Sequence, residues 1–360
     1  MKRLLIAFVC ALIPMGLGAQ TFVYREASDL TLVGRLYSDN SNLYHRIDTA
    51  VHRGFSKMEN FQVRCPAGIA VVFRTDSPTI KVKVAFGQTI EMTNTMPMSY
   101  RGYDLYVRRD GGWLWAAATA RPDTDKEDAG RTLITGMEPT MKEFLMYLPM
   151  YAEIGSCQIG VTEGSVLEAC DNPFHGRVVI HGSSFTHGIS TSRSGMTYPA
   201  QLMRRTGWEI VNLGVSGNCK MQPYFADALC DVDADAFVFD AFSNPSEKEI
   251  RRNFLPFVEK LVKAHPGKPL VFQKTIYRES RNFNLDREKF EASRQMLVDS
   301  LMKVATRRYE DVYYIDCTSA TSERHDTSVD GTHPSDHGYY LWSKSIEKPL
   351  RKILRKYGIK

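Results

Sequence analysis

The spacing of hydrophobic residues divides the chain into two parts. In the first part, apolar and polar residues alternate over short stretches, as in Ile80–Phe86, where every second residue is apolar. Residues Arg109–Gly112 (RDGG) have the composition of a hairpin turn between strands at Asp104–Val107 and Trp113–Trp115. Further strands are predicted at Ala70–Phe73, Glu143–Leu148 and Ile159–Val161. Because no helical period interrupts them, residues 20–171 are predicted to form an antiparallel β-sandwich domain.

The second part alternates short apolar strands with longer amphipathic segments. Strands are predicted at Val178–His181, Ile210–Leu213, Ala236–Asp240, Leu270–Gln273 and Val312–Ile315. Helices are predicted at Glu247–Ala264, Asp286–Arg308 and His337–Tyr357. This order predicts an α/β domain over residues 172–360, with a parallel sheet covered by helices on both faces. No glycine-rich phosphate-binding motif follows any of these strands, so nucleotide binding is not expected.

The first nineteen residues have the pattern of a secretory signal peptide. Met1–Arg3 is basic, Leu4–Met15 is apolar, and Leu17–Ala19 ends in small residues. We therefore expect cleavage near Ala19 and an exported protein, soluble in the periplasm or outside the cell. No later segment is long and apolar enough to predict a membrane span.

Charge and cysteine content bear on nucleic-acid binding, disulfide formation and metal binding. The 46 basic and 41 acidic residues give a net charge of +5, which falls to about +3 when the signal peptide is removed. Basic residues are dispersed among acidic ones, so no nucleic-acid-binding face is predicted. Of the six remaining cysteines, Cys157 and Cys170 are near each other in sequence, as are Cys219 and Cys230. The spacing leaves open whether these pairs form disulfides or stay buried free thiols. No Cys/His pattern predicts a metal site.

Residues suited to nucleophilic catalysis follow four of the five predicted strands. Ser184 follows the first strand, Gly217 the second and Asn244 the third, while Asp330 and His333 lie in a loop after the fifth. A serine hydroxyl becomes a nucleophile when a base takes its proton, and a third group must orient that base. The carboxyl ends of parallel strands share one edge of a sheet, so we expect these residues to converge there.

These motifs, in this order, resemble those of the SGNH/GDSL hydrolase family over about residues 176–356. The four residues that give the family the name SGNH correspond to Ser184, Gly217, Asn244 and His333. The family's Gly-Asp-Ser block is Gly-Ser-Ser here, but its middle residue, Ser183, does not correspond to a triad member. The resemblance implies a flavodoxin-like, three-layer α/β/α fold.

The resemblance also implies roles for these residues. Ser184 would be the nucleophile, His333 the general base and then acid, and Asp330 the group that orients the imidazole. The N–H groups of Ser184 and Gly217 and the side-chain amide of Asn244 would form the oxyanion hole. No metal or organic cofactor is needed. Three other histidines lack an aspartate in the corresponding position and are interpreted as site-lining or surface residues: His181, His187 and His337.

The first part resembles the GxDLY domain that precedes some SGNH domains, a jelly-roll-like β-sandwich. The motif falls on Gly102–Tyr106, and Leu148–Tyr151 and Ile159–Val161 are similar to its closing segment. We expect Asp104 to fix a turn by accepting hydrogen bonds from backbone N–H groups, with a catalytic role as the alternative. Six aromatic residues of this part are candidates for a sugar platform, although the sandwich core is the expected place for most of them: Tyr103, Tyr106, Trp113, Trp115, Tyr147 and Tyr151.

Together these features predict an exported serine esterase that hydrolyses O-acyl esters, with acetyl groups on a carbohydrate as the favoured substrate. Two alternatives stay open. One is an acyltransferase of the same fold that uses an alcohol in place of water, and the other is an inactive glycan-binding protein. Because the predicted triad lies entirely after Asp171, the first part is expected to act on substrate choice.

Overall fold

The structure, a computed structural model, describes residues 20–120, 130–317 and 320–360, so the predicted signal peptide lies outside the described residues. Two helices of the first part are α1 (Lys57–Arg64) and α2 (Pro97–Tyr100). Its strands are β1 (Phe22–Glu26), β2 (Thr31–Val33), β3 (Ala70–Thr75), β4 (Ile80–Thr89), β5 (Gly102–Arg109), β6 (Gly112–Ala120), β7 (Arg131–Ile134), β8 (Lys142–Tyr147), β9 (Ala152–Thr162) and β10 (Leu167–Glu168).

These strands form two antiparallel sheets. One sheet has the order β1-β9-β4-β7, and the other has the order β10-β3-β8-β5-β6 with β2 beside β3. The sheets pack face to face through a core that includes Val71, Phe73 and Phe144 from one sheet and Val82 and Ile159 from the other. The predicted antiparallel sandwich is therefore confirmed.

The expectation that no helix interrupts the first part is wrong, because α1 does so. This helix begins after Ser56, whose hydroxyl accepts a hydrogen bond from the N–H of Glu59 at 3.4 Å. The Glu59 carboxylate in turn accepts the N–H of Ser56 at 2.7 Å, which completes a capping box. With eight residues, the helix is too short for a 3.6-residue period to stand out, although its capping signature is visible in the sequence.

The second part contains the predicted strands and three further helices. Its strands are β11 (His175–Gly182), β12 (Trp208–Gly214), β13 (Ala236–Asp240), β14 (Leu270–Gln273) and β15 (Val312–Ile315). Its helices are α3 (Ser184–His187), α4 (Tyr198–Thr206), α5 (Pro223–Cys230), α6 (Glu247–Ala264), α7 (Leu285–Arg308) and α8 (Asp336–Leu354). The sequence patterns did not indicate α3, α4 or α5, which have nine residues or fewer.

The strands of the second part form a parallel sheet in the order β12-β11-β13-β14-β15, as in flavodoxin-like folds. Successive strand residues point to opposite faces. Accordingly, Val178 and Ile180 pack towards α4 and α8, whereas Val179 packs towards α5, α6 and α7. The predicted three-layer α/β/α arrangement is confirmed.

The two parts share their hydrophobic cores. In β3, Val71 and Phe73 face the sandwich interior, while Ala70 and Val72 pack in one cluster with residues of the second part such as Trp208. Burial on both faces explains why the first four residues of β3, Ala70–Phe73, are all apolar rather than alternating. The boundary near residue 171 stays a prediction, but the packing on either side of it is continuous.

Hydrogen bonds of a buried cation also join the two parts. Arg46 is fully buried, and its guanidinium donates to the carbonyls of Asn212 and Gly214 at the end of β12. The same group donates to the carbonyls of Gln62 and Cys65. Because every one of these acceptors is a backbone carbonyl, Arg46 ties the end of α1 to the end of β12.

All six cysteines of the described residues are free thiols, and four of them are buried: Cys65, Cys157, Cys219 and Cys317. Neither candidate disulfide is formed. None of the described helices combines the length and hydropathy needed to cross a membrane. No group of histidine, cysteine and acidic residues in the described ranges is arranged to hold a metal ion.

Candidate active site

The structure brings Ser184, His333 and Asp330 together at the carboxyl edge of the parallel sheet. The Ser184 hydroxyl lies 3.0 Å from Nε2 of His333, and Nδ1 of His333 lies 2.8 Å from Oδ2 of Asp330. With Nδ1–H donating to the carboxylate, Nε2 is the acceptor for the serine proton. The three residues thus lie in the hydrogen-bonded order that a catalytic triad requires, and their catalytic roles stay a prediction.

Asp330 is held as a carboxylate by four hydrogen-bond donors. Its Oδ1 accepts the N–H groups of Thr332 at 2.9 Å and His333 at 2.7 Å, and its Oδ2 accepts from the His333 ring and from Asn94. Partial burial acts to raise the pKa of Asp330, but the hydrogen bonds from His333 and Asn94 outweigh it and hold this pKa well below its usual range. Asp330 is therefore anionic at neutral pH.

The turn that presents Ser184 is fixed by a buried carboxylate on the neighbouring strand. Asp240, the last residue of β13, accepts the hydroxyl of Ser183 at 2.6 Å and its N–H at 3.1 Å. Ser183 is fully buried, so its hydroxyl is committed to this contact, whereas Ser184 is 8% exposed. A Cβ at Gly182 would lie 2.0 Å from Oγ1 of Thr186, which is why only glycine fits before the turn.

Three hydrogen-bond donors with no acceptor among the described residues follow the carboxyl ends of β11, β12 and β13. β11, which leads to Ser184, lies between β12, which leads to Gly217, and β13, which leads to Asn244. The N–H groups of Ser184 and Gly217 have no acceptor among the described residues. Asn244 accepts the N–H of Cys219 at 3.2 Å through its side-chain oxygen, which leaves its NH2 group free to donate. Such a set can stabilise an oxyanion.

Side-chain hydrogen bonds hold the backbone next to Gly217 and Asn244. Gln62 of α1 donates to the carbonyl of Ser216 at 3.1 Å, and the Ser216 hydroxyl is bonded to Tyr151. Beside Asn244, the carbonyl of Ser243 accepts from Arg278 at 2.6 Å, and Arg278 pairs with Glu291. A Cβ at Gly217 would meet no atom within 4 Å, so the space beside this residue is open.

Two of the three other histidines occupy different places from those expected. His181 and His187 are fully buried and line no open site. His181 donates to the carbonyl of Leu213 at 2.9 Å, and His187 stacks on Tyr151 and donates to the carbonyl of Met150 at 2.8 Å. Burial lowers the pKa of His181 to about 4 and that of His187 in the same direction. His337, by contrast, is exposed, as interpreted.

Asp104 joins the two parts rather than fixing a local turn. Asp104 is fully buried, and its carboxylate accepts the N–H of Gly195 at 2.9 Å and the indole N–H of Trp115 at 3.0 Å. Both carboxylate oxygens also lie 3.1 Å from Nε of Arg193, which donates to them. The expected backbone hydrogen bond exists, but its donor belongs to the second part. Asp104 makes no contact with Ser184 or His333.

Most of the aromatic candidates for a sugar platform are core residues. Tyr103, Tyr106, Tyr147 and Tyr151 are at most 5% exposed, and Trp113 is half-buried against Phe174. Only Trp115 among the six is exposed, at 54%. The alternative that these rings form the core is therefore correct for most of them.

Two residues in contact with the site were not indicated by the sequence. Asp240 ends a buried apolar strand, and a charged residue in that position is a signal that could have identified it. Asn94 lies 236 residues from Asp330, and no local pattern connects the two. Its contact with the triad arises only because the first part packs against the second.

Comparisons with known proteins agree with this geometry. Residues 175–351 match the model of the GDSL-like lipase and acylhydrolase family, and residues 21–167 match the GxDLY N-terminus of SGNH-hydrolase-type esterases. The chain is 35% identical to a GDSL-like lipase from Bacteroides ovatus, over 94% of this chain and 99% of that one, with a TM-score of 0.88. A search of curated sequences found no significant match.

More distant solved structures share the fold. A salicylyl-acyltransferase from a tetracycline biosynthetic pathway has 20% identity and a TM-score of 0.71, covering 93% of this chain and 97% of its own. A family two carbohydrate esterase from Cellvibrio japonicus has 11% identity and a TM-score of 0.61, covering 93% and 99%.

The fold and the site together define an SGNH-type hydrolase preceded by a β-sandwich. The chain belongs to the GDSL-like lipase and acylhydrolase family, with the GxDLY N-terminus of SGNH-type esterases, and it is an ester-hydrolysing enzyme.

Proposed function

We propose that the protein is an exported esterase that removes O-acyl groups, chiefly acetyl, from a carbohydrate through an acyl-enzyme on Ser184. The observation that carries the proposal is the pair of hydrogen bonds from Ser184 to His333, 3.0 Å, and from His333 to Asp330, 2.8 Å. A nucleophile, a base and an orienting carboxylate within hydrogen-bond reach are what acyl transfer requires.

In the first half-reaction, the Ser184 oxygen attacks the ester carbonyl carbon while Nε2 of His333 takes the hydroxyl proton. Negative charge develops on the carbonyl oxygen, where the N–H groups of Ser184 and Gly217 and the amide of Asn244 donate to it. The C–O bond to the alcohol then breaks, and His333 gives its proton to the leaving oxygen. Asp330 stabilises the imidazolium that exists between these two proton transfers.

In the second half-reaction, water attacks the acyl-enzyme carbonyl while His333 takes a proton from it. The tetrahedral intermediate collapses, His333 returns the proton to Ser184, and the carboxylic acid leaves. An alcohol in place of water would give a new ester, which is the acyltransferase alternative. That alternative is kept because the salicylyl-acyltransferase has the same fold.

The carbohydrate part of the proposal rests on polar residues next to the triad and next to Gly217. Asn94 contacts Asp330, Asn218 follows Gly217, and Thr332 lies between the two triad members of the last loop. Polar neighbours favour a hydrophilic alcohol over a lipid chain. A carbohydrate esterase from Cellvibrio japonicus and an acetyl xylan esterase from Butyrivibrio proteoclasticus share the fold, and the signal-peptide pattern of residues 1–19 supports export.

The test uses the mature full-length chain with a fluorophosphonate probe and a panel of acetylated oligosaccharides, with mass spectrometry of the products. We expect labelling at Ser184 and release of acetate. Ser184→Ala should lower kcat/KM by about a thousandfold or more without unfolding the chain. The matched variant is Ser183→Ala, which removes a neighbouring hydroxyl that points to Asp240 and should lose far less.

Three results would contradict the proposal. If Ser183→Ala abolishes turnover and Ser184→Ala does not, the nucleophile is assigned incorrectly. If an added alcohol acceptor captures nearly all of the acyl group while water captures almost none, the enzyme is a transferase. Absence of labelling in a folded wild-type protein would favour the inactive glycan-binding alternative.

A further inference from the structure

One residue of the first part reaches the triad. Asn94 lies in the connection between β4 and α2, and its Nδ2 donates to Oδ2 of Asp330 at 2.9 Å. This is the same carboxylate oxygen that faces Nδ1 of His333. The contact therefore lies directly behind the hydrogen bond that orients the proposed catalytic base.

The segment that carries Asn94, residues 90–99, is anchored to the second part on the other side of the site as well. We call this segment the strap. The hydroxyl of Thr95, a buried residue, accepts the N–H of Ser190 at 2.9 Å, and the hydroxyls of Ser99 and Thr191 lie 2.6 Å apart. Ser190 and Thr191 follow the short helix that begins with Ser184.

The strap therefore contacts both loops that supply the triad. One anchor lies on the chain segment after the nucleophile, and Asn94 lies on the loop of the acid. The beginning of the strap is fixed to the sandwich, because the N–H of Ile90 donates to the carbonyl of Tyr151 at 3.1 Å. A shift of the sandwich relative to the second part would move the donor away from Asp330.

We propose that Asn94 is a positioning residue for Asp330, so that the first part of the chain completes the proposed active site in addition to any effect on substrate choice. The inference rests on the proposed triad chemistry. Two backbone N–H groups hold Oδ1 of Asp330, and Asn94 supplies the one side-chain donor to Oδ2 besides the His333 ring among the described residues. With it, the carboxylate is saturated and cannot rotate away from Nδ1.

An amide is the suitable group at this position. A neutral donor holds the Asp330 oxygen without changing the net charge beside the imidazole. A carboxylate at residue 94 would add a second negative charge next to Asp330, which would stabilise the imidazolium form of His333. His333 acts as a base only when neutral, so the extra charge should move the acidic limb of the pH profile to higher pH.

Other ionisable groups near the triad loop keep their own partners. Glu279 accepts hydrogen bonds from Thr327 and Ser328, and Asp336 accepts them from Ser192. Further charged or titratable groups packed nearby are Arg278, His337 and Tyr339. None of them contacts Asn94, so a substitution there changes the charge beside Asp330 alone.

The experiment compares Asn94→Ala and Asn94→Asp with wild type in the full mature chain, using kcat and KM on a nitrophenyl acetate ester over a range of pH. We expect Asn94→Ala to lower kcat by about tenfold with little change in KM, because an ordered hydrogen bond to a charged group is lost. We expect Asn94→Asp, which has the same shape, to move the acidic limb of kcat/KM upward by about half to one pH unit.

Asn42→Ala is the matched control, because Asn42 is also an asparagine of the first part and donates to the carbonyl of Ile154, away from the site. It should keep the wild-type pH profile and kcat. Wild-type kcat in Asn94→Ala together with an unmoved acidic limb in Asn94→Asp would overturn the inference, provided that Ser184→Ala is inactive. If Ser184→Ala is active, the proposed function fails instead, so the two failures can be told apart.

Discussion

Burial of His181 and His187 predicts how the stability of the protein depends on pH. The same burial distinguishes these two histidines from His333, the proposed catalytic base. His181 and His187 are fully buried and lie close to the Arg46 guanidinium. Burial lowers the pKa of both imidazoles, and the positive charge of Arg46 acts in the same direction, against the effect of one backbone hydrogen bond on each ring. Both rings are therefore neutral in the folded protein at pH 7.

The sign of the effect follows from linkage. A histidine pKa is about 6.5 in the unfolded chain, whereas that of His181 is about 4 in the folded protein, so the unfolded state binds the proton more readily. The stability associated with the neutral ring is present above pH 6.5 and is lost as the pH falls towards 4. At about 1.4 kcal/mol per pH unit, His181 accounts for a loss of about 3 kcal/mol over this window.

The assay is urea unfolding at several pH values between 7.5 and about 4.5, in wild type and in His181→Asn. The asparagine amide can still donate to the carbonyl of Leu213, as Nδ1 of His181 does. We expect the variant to be less stable at pH 7 but to lose stability less steeply on acidification. The slope of its unfolding free energy against pH should correspond to about one proton fewer taken up on unfolding. His337→Asn, at an exposed position, is the control and should keep the wild-type slope.

An unchanged slope in His181→Asn would refute the reasoning, as would an NMR titration in which the His181 imidazole protonates near pH 6.5. The same titration bears on the mechanism. A ring that is inaccessible and uncharged until about pH 4 cannot exchange protons with a substrate, whereas His333 is hydrogen-bonded to Ser184.

Two further predictions concern the oxyanion donors and the junction of the two parts. Asn244→Ala should lower kcat by about 10²-fold with KM nearly unchanged, because the amide acts mainly in the transition state; a large rise in KM with normal kcat would make Asn244 a substrate-binding residue. Asp104→Ala should destabilise the protein by about 1–3 kcal/mol, because it leaves the buried N–H of Gly195 without its acceptor and the partly exposed Arg193 without its ion-pair partner. Calorimetry of Asp104→Ala, Arg193→Met and the double variant measures the coupling between the two residues, and loss of turnover with normal stability would point to a catalytic Asp104 instead.

The sequence by itself was enough to predict the elements that depend on local pattern. Strands β13, β14 and β15 and helix α6 have the predicted bounds, because buried strands and capped amphipathic helices leave a periodic signature in neighbouring residues. The meeting of Ser184 and His333 was also predictable, since the carboxyl ends of parallel strands lie at one edge of a sheet.

Only the tertiary structure decided what depends on packing between distant segments. The pattern of β3 shows that it is apolar but not that its second face packs against the α/β part. His181 and His187 could have been surface residues, and the tyrosines of the first part could have lined a platform, until packing placed them in the core. The contact of Asn94 with Asp330 bridges 236 residues, and a hydrogen bond between side chains so far apart leaves no periodic trace in either segment.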